Sequence, residues 1–321
     1  MENPPLHSDR RALTVGILSG IAAGAFWGTI FLGPRLLVAF SPIELSVARY
    51  LVYGVLSALL IIPRWKVLAT VTAPDWWALA RLSLVGNLIY YVFISLAVQL
   101  SGIAVASLIV GLLPATITLI GSREKNALPF RRLAAPLLLM AIGIVLINLD
   151  LFTRDPGRGS ALTKFLGVLC AVVALAAWTY YAVANTRWLR RAPQFSNQNW
   201  SLLTGLVTGA MALLATPVFL FHSGQTTVSG WTQFWLVSGG IALGGSVIGT
   251  AFWNAASRLL PLTLSGQMIV FETLFALLYN FIAEQRLPRP LELAAIVALA
   301  AGIWWSARRH PGLELPSKAN P

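Results

Sequence analysis

The run from Ala256 to Gly302 repeats an earlier run of the same chain, and that repetition limits the folds open to it more than any other feature. Shifted back by 159 positions, Ala256, Leu259, Leu287, Pro288 and Gly302 fall on Ala97, Leu100, Leu128, Pro129 and Gly143. Glu284 meets Glu124 with a slip of one residue. A second offset, 151, lays Gly167, Leu169 and Trp178 on Gly16, Leu18 and Trp27. The chain therefore reads as two copies of one plan, 13–149 and 164–307, and a duplication of this kind fixes architecture before any single residue is weighed. Each copy contains five apolar spans. An odd number of membrane crossings turns the second copy upside down, and inverted repeats mark transporters.

The membrane itself follows from composition. Of 321 residues, 57% are hydrophobic and 11% charged, against about 25% charged in soluble domains. Spans of about 20 apolar residues are expected near 13–33, 43–62, 76–98, 102–121, 133–149, 164–186, 198–221, 231–255, 263–282 and 290–307. All should be helices, because hydrocarbon satisfies no free backbone group. The expected fold is all-α and polytopic: ten helices, as two inverted repeats of five around a central cavity. The segments 1–12 and 308–321 are expected as tails, disordered near the ends, with no cleavable signal at the start.

Where the charges sit decides how the net +12 is read. With the N-terminus inside, fifteen Lys and Arg fall in cytoplasmic segments and six in outer links. That bias places both termini in the cytoplasm, and it explains the basic charge without nucleic acid. Trp76, Trp77, Trp231, Trp235, Trp304 and Trp305 stand at span ends, as interfacial anchors do. Gly16, Gly20, Gly24 and Gly28 in the first span recur every four residues, and Gly240, Gly244, Gly245 and Gly249 mark the eighth. Such spacing lets helix backbones approach closely. Pro114 is expected to kink the fourth span.

Candidate substrate contacts follow from the repeat. Asn87, Tyr91 and Ile94 share a helical face and map onto Ser246, Thr250 and Trp253. Trp27 and Trp178 are equivalent, and inversion places one nearer each surface, so they are candidate outer and inner gates. Tyr90, Tyr180 and Tyr181 lie close enough to contribute, and Gln267 can supply a hydrogen bond. Ser107, Gly111, Pro114 and Thr118 form a small, polar stripe that suits a cavity wall. Glu272 is the one acid in mid-span; a charge there costs about 2.5–3.5 kcal/mol on insertion scales, so it faces a cavity or a partner. It can serve as counter-ion to an ammonium, as a proton carrier, or as a hydrogen-bonded strut. Arg49 can meet a substrate carboxylate, cap nearby carbonyls or pair with Glu44.

Other classes find little footing. No histidine lies in a span, no second acid lies at the depth of Glu272, and no phosphate-binding loop or dinucleotide fingerprint is written. His7, His222 and His310 lie in tails or a loop, so no intramembrane metal site or cofactor is expected. Cys170 alone forms no internal disulfide. A channel would call for rings of equivalent charged or carbonyl groups.

The two blocks Ala97–Gly143 and Ala256–Gly302, Arg49 in the second span and the junctions Glu124–Pro129 and Glu284–Pro288 resemble the EamA-type drug/metabolite transporters. Members often read Glu-Pro in the ninth span, where this chain has Glu272–Thr273. The tryptophan-bearing first and sixth spans and the Asn87–Tyr91 stretch look most like the YddG-type amino-acid exporters within that group. The resemblance implies a bacterial inner-membrane protein that moves aromatic and other neutral amino acids, or related metabolites, outward by alternating access. Export of drugs or other solutes is the alternative, with an embedded enzyme or a scaffold further off.

Overall fold

The computed structural model describes residues 6–37, 39–125, 127–154, 160–221 and 227–310. Among them the chain is helical, without strands. Its main elements are α1 (Leu6–Gly28), α2 (Pro42–Ile61), α3 (Ala73–Ser101), α4 (Ile103–Val110 and Leu113–Gly121), α5 (Phe130–Arg154), α6 (Ala161–Arg191), α7 (Asn197–Leu213), α8 (Val228–Leu259), α9 (Leu262–Glu284) and α10 (Pro290–Arg308). Eight of these stretches are long and apolar enough to cross a membrane; Val105–Gly121 is a shorter apolar helix, and α7 has 17 residues. The expected tails fall partly outside the description, at 1–5 and 311–321, but Leu6 to Ala12 already belong to α1.

Local chemistry sets the helix starts. Ser41 and Glu44 form a reciprocal capping box at α2, with Pro42 at the first position. At α3 the Asp75 carboxylate accepts from the Thr72 amide at 2.9 Å and hydroxyl at 2.6 Å. Ser160, Ser196 and Thr227 cap α6, α7 and α8 through their hydroxyls. Each cap satisfies a backbone donor that a first turn leaves free. Gly102 separates α3 from α4 at φ 88°, a conformation only glycine adopts without strain.

The kink expected at Pro114 lies three residues earlier. The α4 ladder breaks at Gly111–Leu112, and Pro114 sits in the first turn of the second piece. There its ring no longer clashes with the Val110 carbonyl, four residues back, and its missing N–H costs nothing.

Glycines bring the helices into contact in pairs. A Cβ on Gly143 would lie 2.8 Å from Leu299 of α10, and one on Gly302 would lie 2.5 Å from Met140 of α5. Those two contacts climb one helix while descending the other, so α5 and α10 run antiparallel. Gly54 and Gly209 meet backbone to backbone where α2 crosses α7. The stripe of α1 packs on α9: Gly20 on Met268, Gly24 on Phe271 and Glu272, Gly28 on Phe275 and Ala276. Two further contacts recur at the offsets of the repeat. Gly16 meets Leu260 while Gly167 meets Ser101, and Gly245 meets Ile30 while Gly86 meets Tyr181. Three of the four glycines in the α8 stripe are used: Gly244, Gly245 and Gly249 face α1, whereas Gly240 has no neighbour within 4 Å.

At the end of α10, His310 is 1% exposed. Its Nδ1 faces the Ser306 carbonyl at 2.9 Å, which can only accept, so Nε2 takes the Thr263 hydroxyl proton, also at 2.9 Å. Burial pushes the ring below its ordinary pKa despite the Ser306 bond. As pH falls past about 6.5 the unfolded chain binds a proton that the folded ring refuses, so stability present above that pH is lost on acidification. The thermal midpoint in detergent should therefore drop between pH 7.5 and 5.5, and His310→Gln should flatten that part of the profile.

Candidate functional site

Three indoles meet at the middle of the bundle. Trp27 of α1, Trp178 of α6 and Trp253 of α8 stand with ring centroids 5.9, 5.6 and 5.4 Å apart. They are 7%, 9% and 1% exposed. Tyr181 and Tyr90 extend the cluster from Trp178, at 5.7 and 6.4 Å. The central space expected as a hollow is thus filled by rings packed on rings. Two grooves lie on the outside of the bundle, one of about 550 Å³ along Leu139, Leu293 and Val297 and one of about 360 Å³ along Trp76, Leu206 and Leu214. Trp27 and Trp178, expected to flank the site from opposite sides, touch edge to face.

The Trp27 indole also donates to the Gly245 carbonyl at 3.0 Å. Trp27→Phe keeps a ring in place but removes that bond, a loss of about 0.5–1.5 kcal/mol. A drop of several degrees in the thermal midpoint should follow, read beside Trp178→Phe.

Polar groups ring the aromatic centre. The Arg49 Nε donates to Ser246 Oγ at 2.9 Å, and its guanidinium lies 5.3 Å over the Tyr50 ring. Tyr50 in turn meets Tyr91 edge to face at 6.1 Å. The Tyr53 hydroxyl donates to the Ser201 carbonyl, with Thr250 beside it. Glu44, the acid that could pair with Arg49, accepts from the Ser41 amide and caps α2. Glu272 is half-buried in the first regular turn of the second part of α9, within electrostatic reach of Arg49 and Tyr90. Arg49 therefore stands beside a wall of tyrosines at the edge of the indole cluster, with the Glu272 charge within its electrostatic reach.

The repeat shows again in backbone form. Residues Leu84–Ile89 of α3 and Ala242–Gly249 of α8 are both π-helical, and the 159 offset lays the first segment inside the second. Wide turns of this kind occur often at functional sites. Each carries one polar side chain that reaches across to the other copy: Asn87 donates to Thr208 of α7 at 2.9 Å, and Ser246 accepts from Arg49 of α2.

Not every candidate gathers here. Ser107 donates to Asn148 of α5, and Gly111 packs on Ile144 of the same helix. Gln267 and Thr118 bond to each other, away from the indoles. Tyr181 joins the site as expected, and Tyr50 and Tyr53 join it although the sequence did not single them out. The spacing of Arg49, Tyr50 and Tyr53 on one side of α2 was the available signal. Among the described residues no group of His, Cys, Asp and Glu could hold a metal ion.

Comparison with known proteins adds family and fold. Residues 14–149 match the model of the EamA-like transporter family. Over 312 residues the chain is 32% identical to "Inner membrane protein YtfF" of Escherichia coli (strain K12), covering 92% of this chain and 96% of that protein. A solved crystal structure, described simply as that of a protein, superposes with a TM-score of 0.74 at 21% identity, covering 92% of this chain and 98% of its own. At that identity the likeness is one of fold.

Proposed function

Because the chain belongs to the EamA-like transporter family, we propose that it is a secondary transporter that exports amino acids across the bacterial inner membrane by alternating access. The observation that carries the substrate class is Arg49, held by Ser246 and set over the Tyr50 ring at the edge of the aromatic centre, with the Glu272 charge within its reach. A zwitterion presents a carboxylate and an ammonium a short distance apart, and a fixed cation and acid answer both. Ring faces accept the ammonium as well as apolar side chains. Aromatic and other neutral amino acids fit such a lining best.

The architecture in this reading is ten crossings, as five-helix repeats of opposite orientation. The antiparallel α5–α10 pair and the glycine contacts recurring at the 151 and 159 offsets support it. The bias of basic residues supports a cytoplasmic location for both ends, and the name of the E. coli relative supports the inner membrane. Trp27, Trp178 and Trp253 act as one plug at the centre, which opens toward either side as the halves rock. Asn87, Tyr90, Tyr91, Ser246 and Thr250 line the space it vacates.

The test is efflux of labelled amino acids from proteoliposomes, with and without a pH gradient. Flux of aromatic and neutral amino acids well above empty liposomes is expected. The reading fails if none of them moves while a cationic drug or another metabolite does.

A further inference from the structure

The helices sort into two groups around the indoles, and α4 of one meets α9 of the other at one end. In one group α6 packs on α3 and on both pieces of α4; in the other, α1 packs on α8 and α9. At the face where α10 ends, the second piece of α4 (Leu113–Gly121) meets the start of α9 (Leu262–Ile269). A Cβ on Gly121 would stand 2.9 Å from the Thr263 amide, and one on Gly266 would stand 2.6 Å from Ile117. Toward the other face the two helices keep different company. The first piece of α4 lies against α3, α5 and α6, and the second part of α9 lies against α1 and α10.

The seam at the closed end is polar. Thr118 donates to the Thr263 carbonyl at 3.1 Å, and Gln267 donates to the same carbonyl at 2.8 Å and to the Thr118 hydroxyl at 3.4 Å. Alongside, Asn185 of α6 donates to Asn254 of α8 at 3.0 Å. At the rim Arg190 donates to the Leu260 carbonyl at 2.7 Å and pairs with Glu124, which also pairs with Arg187. Thr118, Gln267 and Asn254 are all 0% exposed, and the Gln267 carbonyl oxygen is buried without a partner. So is the Ser257 hydroxyl, one turn beyond Asn254. A joint that never opened would cost least if lined by Leu and Ala, since a dry, unpaired polar atom costs about 1–3 kcal/mol. The repeat provides that comparison: the counterparts of Thr116, Ile117 and Thr118 at the 159 offset are Phe275, Ala276 and Leu277, which lie at the other end of the bundle.

We infer that this seam is a closed gate, and that Thr118, Thr263, Gln267, Asn185 and Asn254 become the wet lining of the substrate passage on the basic face when it opens. The inference rests on the transport reading above. The state described is the one sealed at the face carrying Arg187, Arg190, Arg258 and Arg309. Its closing bonds form between polar groups that water takes over once the helices separate, so the gate exchanges one set of partners for another.

The test uses the single thiol of Thr118→Cys in a Cys170→Ala background, in detergent, with a maleimide too polar to enter a dry interior. Labelling should be slow in that protein and rise about tenfold or more with Asn254→Ala, which leaves the Asn185 amide dry only while the gate is shut. Arg190→Ala, at the more exposed rim, should raise it about two- to fivefold without threatening the fold. Rapid labelling without either change overturns the gate. So does an unchanged slow rate in both variants when their gel-filtration profiles match the parent. Flux of labelled amino acids through liposomes holding the same proteins separates the two ideas. Faster labelling with no flux in any protein retains the gate and rejects amino-acid transport, whereas flux with unchanged labelling does the reverse.

Discussion

Replacing Arg49 with methionine should lower the rate of amino-acid efflux on the order of 100-fold, because truncating one member of a desolvated charge pair costs about 2–5 kcal/mol or more. Methionine keeps the length and apolar stem of the side chain, so Tyr50 retains a neighbour while the carboxylate loses its cation. Arg49→Lys should fall between the two, since an ammonium supplies charge but not a second donor in fork geometry. Ser246→Ala removes the acceptor that aims Nε and should cost only severalfold, mostly in KM. Glu272→Gln addresses the other end of the zwitterion. It should weaken amino acids more than their N-acetyl derivatives, which carry no ammonium. Initial rates at several concentrations separate these cases. If Arg49→Met leaves flux per folded protein unchanged and lowers only the thermal midpoint, the residue is a strut between α2 and α8, and the zwitterion site is lost with it.

What the sequence conveyed, and what it withheld, has a physical pattern. Periodicities of four residues and of 151 or 159 lie along the chain itself, so the glycine stripe of α1 and the helix series were legible. Helix caps obey local rules and were equally open to reading. Partners across the bundle were not. Arg49 and Ser246 are 197 residues apart, and nothing in either neighbourhood names the other. The faces of α4 and α9 were readable, but one face does not say which helix it meets. Ser107 therefore went to α5 and Gln267 to the α4–α9 seam, rather than to the aromatic centre. The two π-helical segments escaped for a different reason. One extra residue per wide turn barely disturbs an apolar pattern, although it redirects Asn87 and Ser246. At Pro114 the chemistry was right and the register wrong: proline marks a break, but the break falls ahead of it, where its ring clears the preceding turn.

The crossing of α2 and α7 carries the second large effect, and it acts on folding before it acts on transport. Gly209→Val should lower the thermal midpoint in detergent by ten degrees or more, or prevent a single folded species altogether. A Cβ there runs into the Gly54 backbone, and backbone cannot rotate away as a side chain does. Overpacking of a close contact costs about 1–3 kcal/mol and more where nothing can yield. Gly240→Ala is the matching control. A methyl group there meets no atom within 4 Å, and relieving glycine of its backbone freedom in a helix gains about 0.5–1 kcal/mol. Its midpoint should hold or rise slightly. The pair discriminates sharply, since both are glycines inside apolar helices and only their neighbours differ. Arg49 lies little more than one turn from Gly54 on α2, so any Gly209→Val protein that does fold should also hold its guanidinium out of place and transport poorly. A folded Gly209→Val protein with a midpoint within about one degree of the parent would mean that α2 and α7 do not cross at these glycines, and the position of Arg49 would have to be argued afresh.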